Sequence, residues 1–276
     1  MSRLILYDTS NYENFPIGGQ LTSVQNFLRY MSDKQSAHLE RVLLVGVTNQ
    51  PDEVGKICKA RVDGVDFAFL PVIYRSENLS DVQSSMRVAF LKGLLRHRKV
   101  LAPAKGDCHY IQTPEAFLAV KLLKPSAKTV VFSHGNYFDM PQGFRFYQGN
   151  RLVKRMYNRF IKLLLRRASV TFVLDESTRA AYAQITSKLQ KVANSISLPG
   201  FDRPADRSGP CKLVFVGRLS KVKNVPPIID ALSLLPADVS LTILGDGEEK
   251  ENLQAHLQNA PAQDRILLAG GVSPSR

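Results

Sequence analysis

Phe215-Val216-Gly217-Arg218-Leu219-Ser220-Lys221-Val222-Lys223-Asn224 runs from a strand-like segment through a glycine turn to two cations, and its reading decides the fold. Val214, Phe215 and Val216 are the β-branched and aromatic types that favour a buried strand. Pro226-Pro227 suits the first turn of a helix, where an absent N–H costs nothing. Arg218 and Lys223 therefore stand at the mouth of a strand-loop-helix unit. In doubly wound sheets that mouth, at the carboxyl ends of the strands, receives ligands, and a helix N-terminus adds partial positive charge. The pattern suits a phosphate; a pair of solvated loop cations is the simpler alternative.

Outward from this segment, strand-like and helix-like runs alternate. Toward the N-terminus the strands are expected at Leu4–Tyr7, Val42–Val47, Phe67–Leu70, His109–Gln112, Thr129–Ser133 and Val170–Leu174. Between them lie helical periods near Leu21–Met31, Asp81–Leu95, Glu115–Leu123, 150–167 and Thr178–Ile185. Pro199-Gly200-Phe201-Asp202-Arg203-Pro204 through Ser208-Gly209-Pro210 is a turn-rich hinge. A second alternation follows: strands Lys212–Val216, Ser240–Leu244 and Ile266–Leu268, with helices near Pro227–Leu235 and Glu248–Gln258. Such alternation predicts two α/β units with parallel sheets, divided as 1–203 and 204–276. Three strands and two helices make half of a doubly wound domain, so the second unit is expected to be incomplete.

The 276 residues include 44% hydrophobic ones, enough for two cores. No apolar run approaches membrane-spanning length, and Met1-Ser2-Arg3-Leu4-Ile5-Leu6-Tyr7 enters a strand directly, which makes the cytoplasm the expected compartment. Cys58, Cys108 and Cys211 are odd in number and far apart, which argues against a disulfide framework and a zinc site. The net charge of +13 belongs to the middle of the chain: residues 101–200 hold 15 Lys/Arg against 5 Asp/Glu, whereas residues 201–276 hold 9 of each. Helical spacing over 150–167 puts Leu152, Val153, Met156, Tyr157, Phe160, Ile161 and Leu164 on one face, with seven cations, Arg151 to Arg167, on the rest. Such a helix either packs on a sheet with a solvated outer side or lies on an anionic membrane surface. A second basic run spans Gly93 to Lys99. Without aromatic interleaving, the charge does not suit nucleic acid.

Phe215-Val216-Gly217-Arg218-Leu219 with Lys223, and Leu241-Thr242-Ile243-Leu244-Gly245-Asp246-Gly247, resemble the C-terminal donor-binding domain of the retaining GT-B glycosyltransferases of family 4. Pro16-Ile17-Gly18-Gly19 before a helix is similar to that family's glycine-rich first loop, and Ser133-His134-Gly135-Asn136 to its histidine-bearing loop. The resemblance implies an α/β GT-B fold of two Rossmann-like domains, the second incomplete. It also implies transfer of a sugar from a nucleotide-diphosphate-sugar donor to a glycan or lipid-linked acceptor, in cell-envelope polysaccharide or glycolipid synthesis.

By the same resemblance, Arg218 and Lys223 hold the donor diphosphate, and fixed cations there stabilise the charge that develops on the leaving group. His134 contacts the transferred sugar. Gly18 and Gly19 approach the diphosphate, while Gly217, Gly245, Asp246 and Gly247 line the nucleotide pocket. No cofactor and no metal is implied, since no Asp-x-Asp is present to hold Mg²⁺. Two features depart from the family pattern. Leu198-Pro199-Gly200-Phe201-Asp202 lacks the usual Asn of the linker, and none of the nine glutamates, Glu13 to Glu251, has another eight positions on. The family's Glu-x7-Glu pair is therefore expected to be missing with a truncated C-terminal domain. That leaves open a catalytically inactive relative that binds a partner or a membrane surface, and, within the enzymes, a sugar epimerase of the same architecture.

Overall fold

The structure, a computed structural model, describes residues 2–14, 19–34, 36–76, 86–139, 150–194 and 209–271. The chain divides into two compact units, Met1–Leu198 and Pro199–Arg276. Most of the expected hinge, the linker residues Leu198 to Asp202 included, lies outside the described residues.

The first unit runs β1 (Leu4–Tyr7), α1 (Gly19–Lys34), β2 (Val42–Thr48), β3 (Cys58–Val62), β4 (Val65–Tyr74), α2 (Met86–Arg96) and α3 (Arg98–Leu101). It continues with β5 (Cys108–Ile111), α4 (Pro114–Leu123), β6 (Lys128–Ser133), α5 (Arg151–Arg167), β7 (Val170–Val173), α6 (Glu176–Ala183) and β8 (Leu189–Lys191). The eight strands form one sheet in the order β3-β4-β2-β1-β5-β6-β7-β8. Alternate residues of one strand feed two cores. Ile5, Tyr7, Leu43 and Val45 pack with Phe90, Phe117, Ile161 and Leu164 from the helices of one face. Leu6, Val42 and Leu44 pack with Val24 and Leu28 of α1 on the other. Burial on both faces is why β2 reads as a continuous apolar run, Val42-Leu43-Leu44-Val45.

The sheet is not wholly parallel. β3, which the alternation did not anticipate, pairs antiparallel with β4 through Val62↔Val65. The two residues between them, Asp63 and Gly64, take φ of 49° and 83°. Asp-Gly is the turn chemistry of a tight hairpin, so the signal was in the sequence.

The second unit holds β9 (Lys212–Val216), α7 (Pro226–Ala231), β10 (Ser240–Leu244), α8 (Lys250–Gln258) and β11 (Ile266–Gly270). Its three parallel strands lie in the order β11-β10-β9. Leu219, Val225, Ile229, Leu232, Leu241, Ile243 and Leu253 form its core. The expectation of a buried strand before Gly217 is corrected here. Among the described residues β9 lies at the edge of its sheet, and Val214 and Val216 are 58% and 71% exposed, whereas Leu241 and Ile243 of the central β10 are buried. Hydrophobicity and β-branching signal a strand, but its place in the sheet decides its burial.

The basic helix also differs from its expected face. Asn150 caps α5 by accepting from the backbone N–H of Leu152 and Val153 at 3.1 and 3.2 Å. The helix buries Ile161, Leu164 and Leu165. Leu152 and Met156, expected beside them, are 63% and 62% exposed, and Leu163 is exposed as well.

Candidate active site

In the first unit, three polar side chains gather at the carboxyl ends of the neighbouring strands β1, β5 and β6: Asp8, Gln112 and His134. Asp8 is buried and accepts from the Thr9 backbone N–H at 2.8 Å, from the Ser10 hydroxyl at 3.0 Å, and from the Gln20 amide. Gln20 lies in the first turn of α1, so this carboxylate ties the helix start to the end of β1. Burial raises its pKa to about 6, against the pull of those hydrogen bonds. Gly19 opens α1 with free space where a side chain would stand. Gly18 lies outside the described residues.

His134 follows β6. Its Nε2 pairs with the Gln112 side-chain oxygen, and its ring lies tilted over Phe132 with centroids 4.7 Å apart. An amide oxygen can only accept, so Nε2 carries the proton and Nδ1 keeps a free lone pair. Burial lowers the pKa to about 4, which keeps the ring neutral near pH 7. The loop behind it is fixed by buried hydroxyls: Ser133 donates to the Gly135 carbonyl at 2.7 Å, and the Tyr182 hydroxyl accepts from the Tyr137 N–H at 2.8 Å. Gln112 was not among the residues expected from sequence. Its one signal was its place at the end of a strand, and its pairing with a residue 22 positions away is purely tertiary.

In the second unit, the loops after β9 and β10 are joined backbone to backbone. Gly217 N donates to Leu244 O at 3.0 Å, and Leu219 N to Asp246 O at 2.9 Å. A Cβ on Gly245 would lie 1.9 Å from the Gly217 carbonyl oxygen, and one on Gly247 2.3 Å from that of Leu219. Both positions have positive φ, 153° and 157°. Close approach of the two loops thus explains these glycines. Arg218 and Lys223 stand on the resulting platform, Lys223 in a 3-10 turn and exposed. Arg218 forms an ion pair with Glu248 at 3.1 Å, both side chains more than half exposed. Asp246 accepts from Gly247 N at 2.8 Å and pairs with Lys250 at 2.9 Å. These contacts, with that of Lys250 first, hold its carboxyl below the usual range. Glu248 was expected to begin the helix; the structure starts α8 at Lys250 and gives Glu248 to Arg218.

Two α/β units, each presenting polar residues and glycines at the carboxyl ends of parallel strands, are consistent with the GT-B architecture, and comparison with known families assigns the class. The family described as "Glycosyl transferase 4-like domain" matches residues 18–193, and "Glycosyl transferases group 1" matches residues 201–276. The chain belongs to the glycosyl transferase 4-like family. No curated protein matches it by sequence. Among solved structures, it is similar to sucrose-phosphate synthase from Thermosynechococcus elongatus, with a TM-score of 0.70 and 13% identity over 99% of this chain and 71% of that one. It is also similar to Anabaena HepE in complex with UDP and glucose, at 0.61 and 15% over 99% and 70%. WaaG, a glycosyltransferase involved in lipopolysaccharide biosynthesis, gives 0.61 and 15% over 98% and 70%. At such identities the likeness shows the fold.

Proposed function

We propose that the chain transfers a hexose, with retention and without a metal, from a nucleotide-diphosphate sugar to a glycan or lipid-linked acceptor of the cell envelope. The observation that carries this is the glycine-locked platform holding Arg218 and Lys223, in the unit that matches the group 1 glycosyl transferases. Neighbours of the same fold were solved with UDP and glucose, or with UDP-glucose. In the reaction the bond from the sugar C1 to the diphosphate oxygen breaks, and its electron pair goes to the diphosphate. The acceptor oxygen bonds to C1 on the same face and passes its proton to the departing diphosphate. Arg218 and Lys223 meet the growing charge, and neutral His134 accepts from a sugar hydroxyl through Nδ1. Release of UDP from UDP-glucose tests the proposal, and no release from any common nucleotide sugar would overturn it.

Gln112→Ala removes the acceptor that sets the His134 tautomer. One lost hydrogen bond of this kind is worth about 1.4 kcal/mol, so kcat/KM is expected to fall about tenfold. Gln112→Glu should retain the tautomer and restore much of the rate. Steady-state kinetics with UDP-glucose checks both.

A position on the inner face of the cytoplasmic membrane fits α5. None of the described helices is long and apolar enough to cross a membrane. The exposed side of α5 carries Leu152, Met156 and Leu163 at a spacing of four and seven residues, beside Arg155, Arg159 and Arg166. A helix that only covers a core has no need of leucines on its outer pole. The second basic run falls on α2 and α3, and α4 packs against both α2 and α5, so the two runs share one helical layer. Arg159→Glu with Arg166→Glu is expected to reduce sedimentation with anionic vesicles at least ~30-fold, at about 1 kcal/mol per basic residue, with UDP binding unchanged. Equal sedimentation of variant and parent would remove the membrane from the proposal.

A further inference from the structure

We propose that the groove between the end of β4 and α2 is an anion site for a phosphate-bearing ligand distinct from the sugar donor. Its volume is about 630 Å³, within the range of small-molecule sites. Arg75 lies at the carboxyl end of β4, Lys92 and Arg96 come from α2, and His97 follows that helix. No carboxylate lines it among the described residues. The floor is apolar: Val72 is 2% exposed and Gly93 is buried. Cations around a low-dielectric floor concentrate positive potential in the groove.

Two features have no account in folding alone. Lys92 and Arg96 stand at i and i+4 on one helix, where like charges destabilise it. A bound anion would relieve that repulsion. His97 is also seated with care: a Cβ on Gly55 would come within 2.3 Å of the imidazole, and Gly55 is held to β4 by its N–H to the Pro71 carbonyl at 2.8 Å. The ring is thereby fixed at the groove wall. Burial, and then the charge of Arg96, lower its pKa and favour the neutral ring, and an anion beside it would draw a proton onto it. Phosphate fits better than carboxylate. The Arg96 guanidinium, the Lys92 ammonium and the His97 imidazole together offer more donors than two carboxylate oxygens can accept, whereas a phosphate presents three or four oxygens.

The test is titration of the His97 imidazole by NMR in the full chain, with inorganic phosphate, with glycerol 3-phosphate, and with phosphatidylcholine vesicles with and without phosphatidic acid. Phosphate-bearing probes are expected to raise the His97 pKa by about one unit, as an opposite charge at ~4–6 Å does. Lys92→Gln with Arg96→Gln should abolish the shift, while Arg218→Ala should preserve it. Both substituted side chains are exposed, so the double variant is expected to fold. A shift with glycerol 3-phosphate marks a soluble ligand; a shift confined to phosphatidic acid marks a lipid headgroup. A titration that no probe moves, or a shift that survives in the double variant, would overturn the site. UDP binding weakened in Arg218→Ala, read by calorimetry, measures the donor site separately, so either can fail alone.

Discussion

Arg218→Ala is expected to lower kcat for UDP release about 100- to 1,000-fold, with a smaller change in KM. Removing one preorganised donor from a developing oxyanion has that order of effect, because the loss is felt chiefly in the transition state. The side chain is 64% exposed and paired with Glu248. An exposed ion pair is worth little in water, so Glu248 releases Arg218 readily to a diphosphate. Glu248→Gln should accordingly tighten UDP binding a few-fold, and calorimetry with both variants gives the two signs. Lys223→Ala should act in the same direction as Arg218→Ala. Unaltered kcat in both would mean that the platform does not meet the leaving group.

Acid is expected to destabilise the first unit through two histidines, opposed by Asp8. His109 is fully buried, its Nδ1 2.9 Å from the Tyr7 hydroxyl, and its Nε2 has no hydrogen-bond partner. Burial lowers its pKa to about 4 from 6.5. The unfolded chain therefore binds the proton more tightly, and the stability present above pH 6.5 is lost as pH falls through 4, by about 3 kcal/mol. His134, also near 4, adds a smaller loss because it is partly exposed. Asp8 acts with the opposite sign. Its folded pKa is raised to about 6 from 3.8, so its contribution is full below 3.8 and fades as pH rises through 6. The parent should show a shallow pH dependence between 4 and 6.5, and Asp8→Asn should be more stable at pH 7 and lose stability more steeply toward pH 4. Urea midpoints across this range measure both effects. A pH slope identical in parent and Asp8→Asn would show that the carboxyl is not held in its neutral form.

The placement of the candidate site's residues at strand ends was legible in the residues themselves. Gly217, Gly245 and Gly247 were singled out as lining a pocket, and they do lie at strand ends, where close approach between two loops demands Gly245 and Gly247. Arg218, Lys223 and His134 sit after strands, as their neighbours' β-branching indicated. Glu248 and Gln112 were not legible, because each acquires its role from a partner 30 or 22 positions away. The β3-β4 hairpin does have a local signal: Asp63-Gly64 lies between Val62 and Val65, too short a link for a crossover helix.

The sequence alone determined what depends on near neighbours: the strand and helix periods, the division into two α/β units, and the strand-loop motif at Arg218. Only the tertiary structure decided what depends on order across a sheet. It put β9 at an edge with Val214 and Val216 exposed, and turned Leu152 and Met156 of α5 to the outer side. It also brought β1 beside β5, Leu4 against Cys108, so that Asp8 and Gln112 end neighbouring strands. Periodicity is a property of a few consecutive residues, whereas burial is set by which other segment comes to lie on a face. Residues far apart in the chain supply that cover, and no local pattern encodes it.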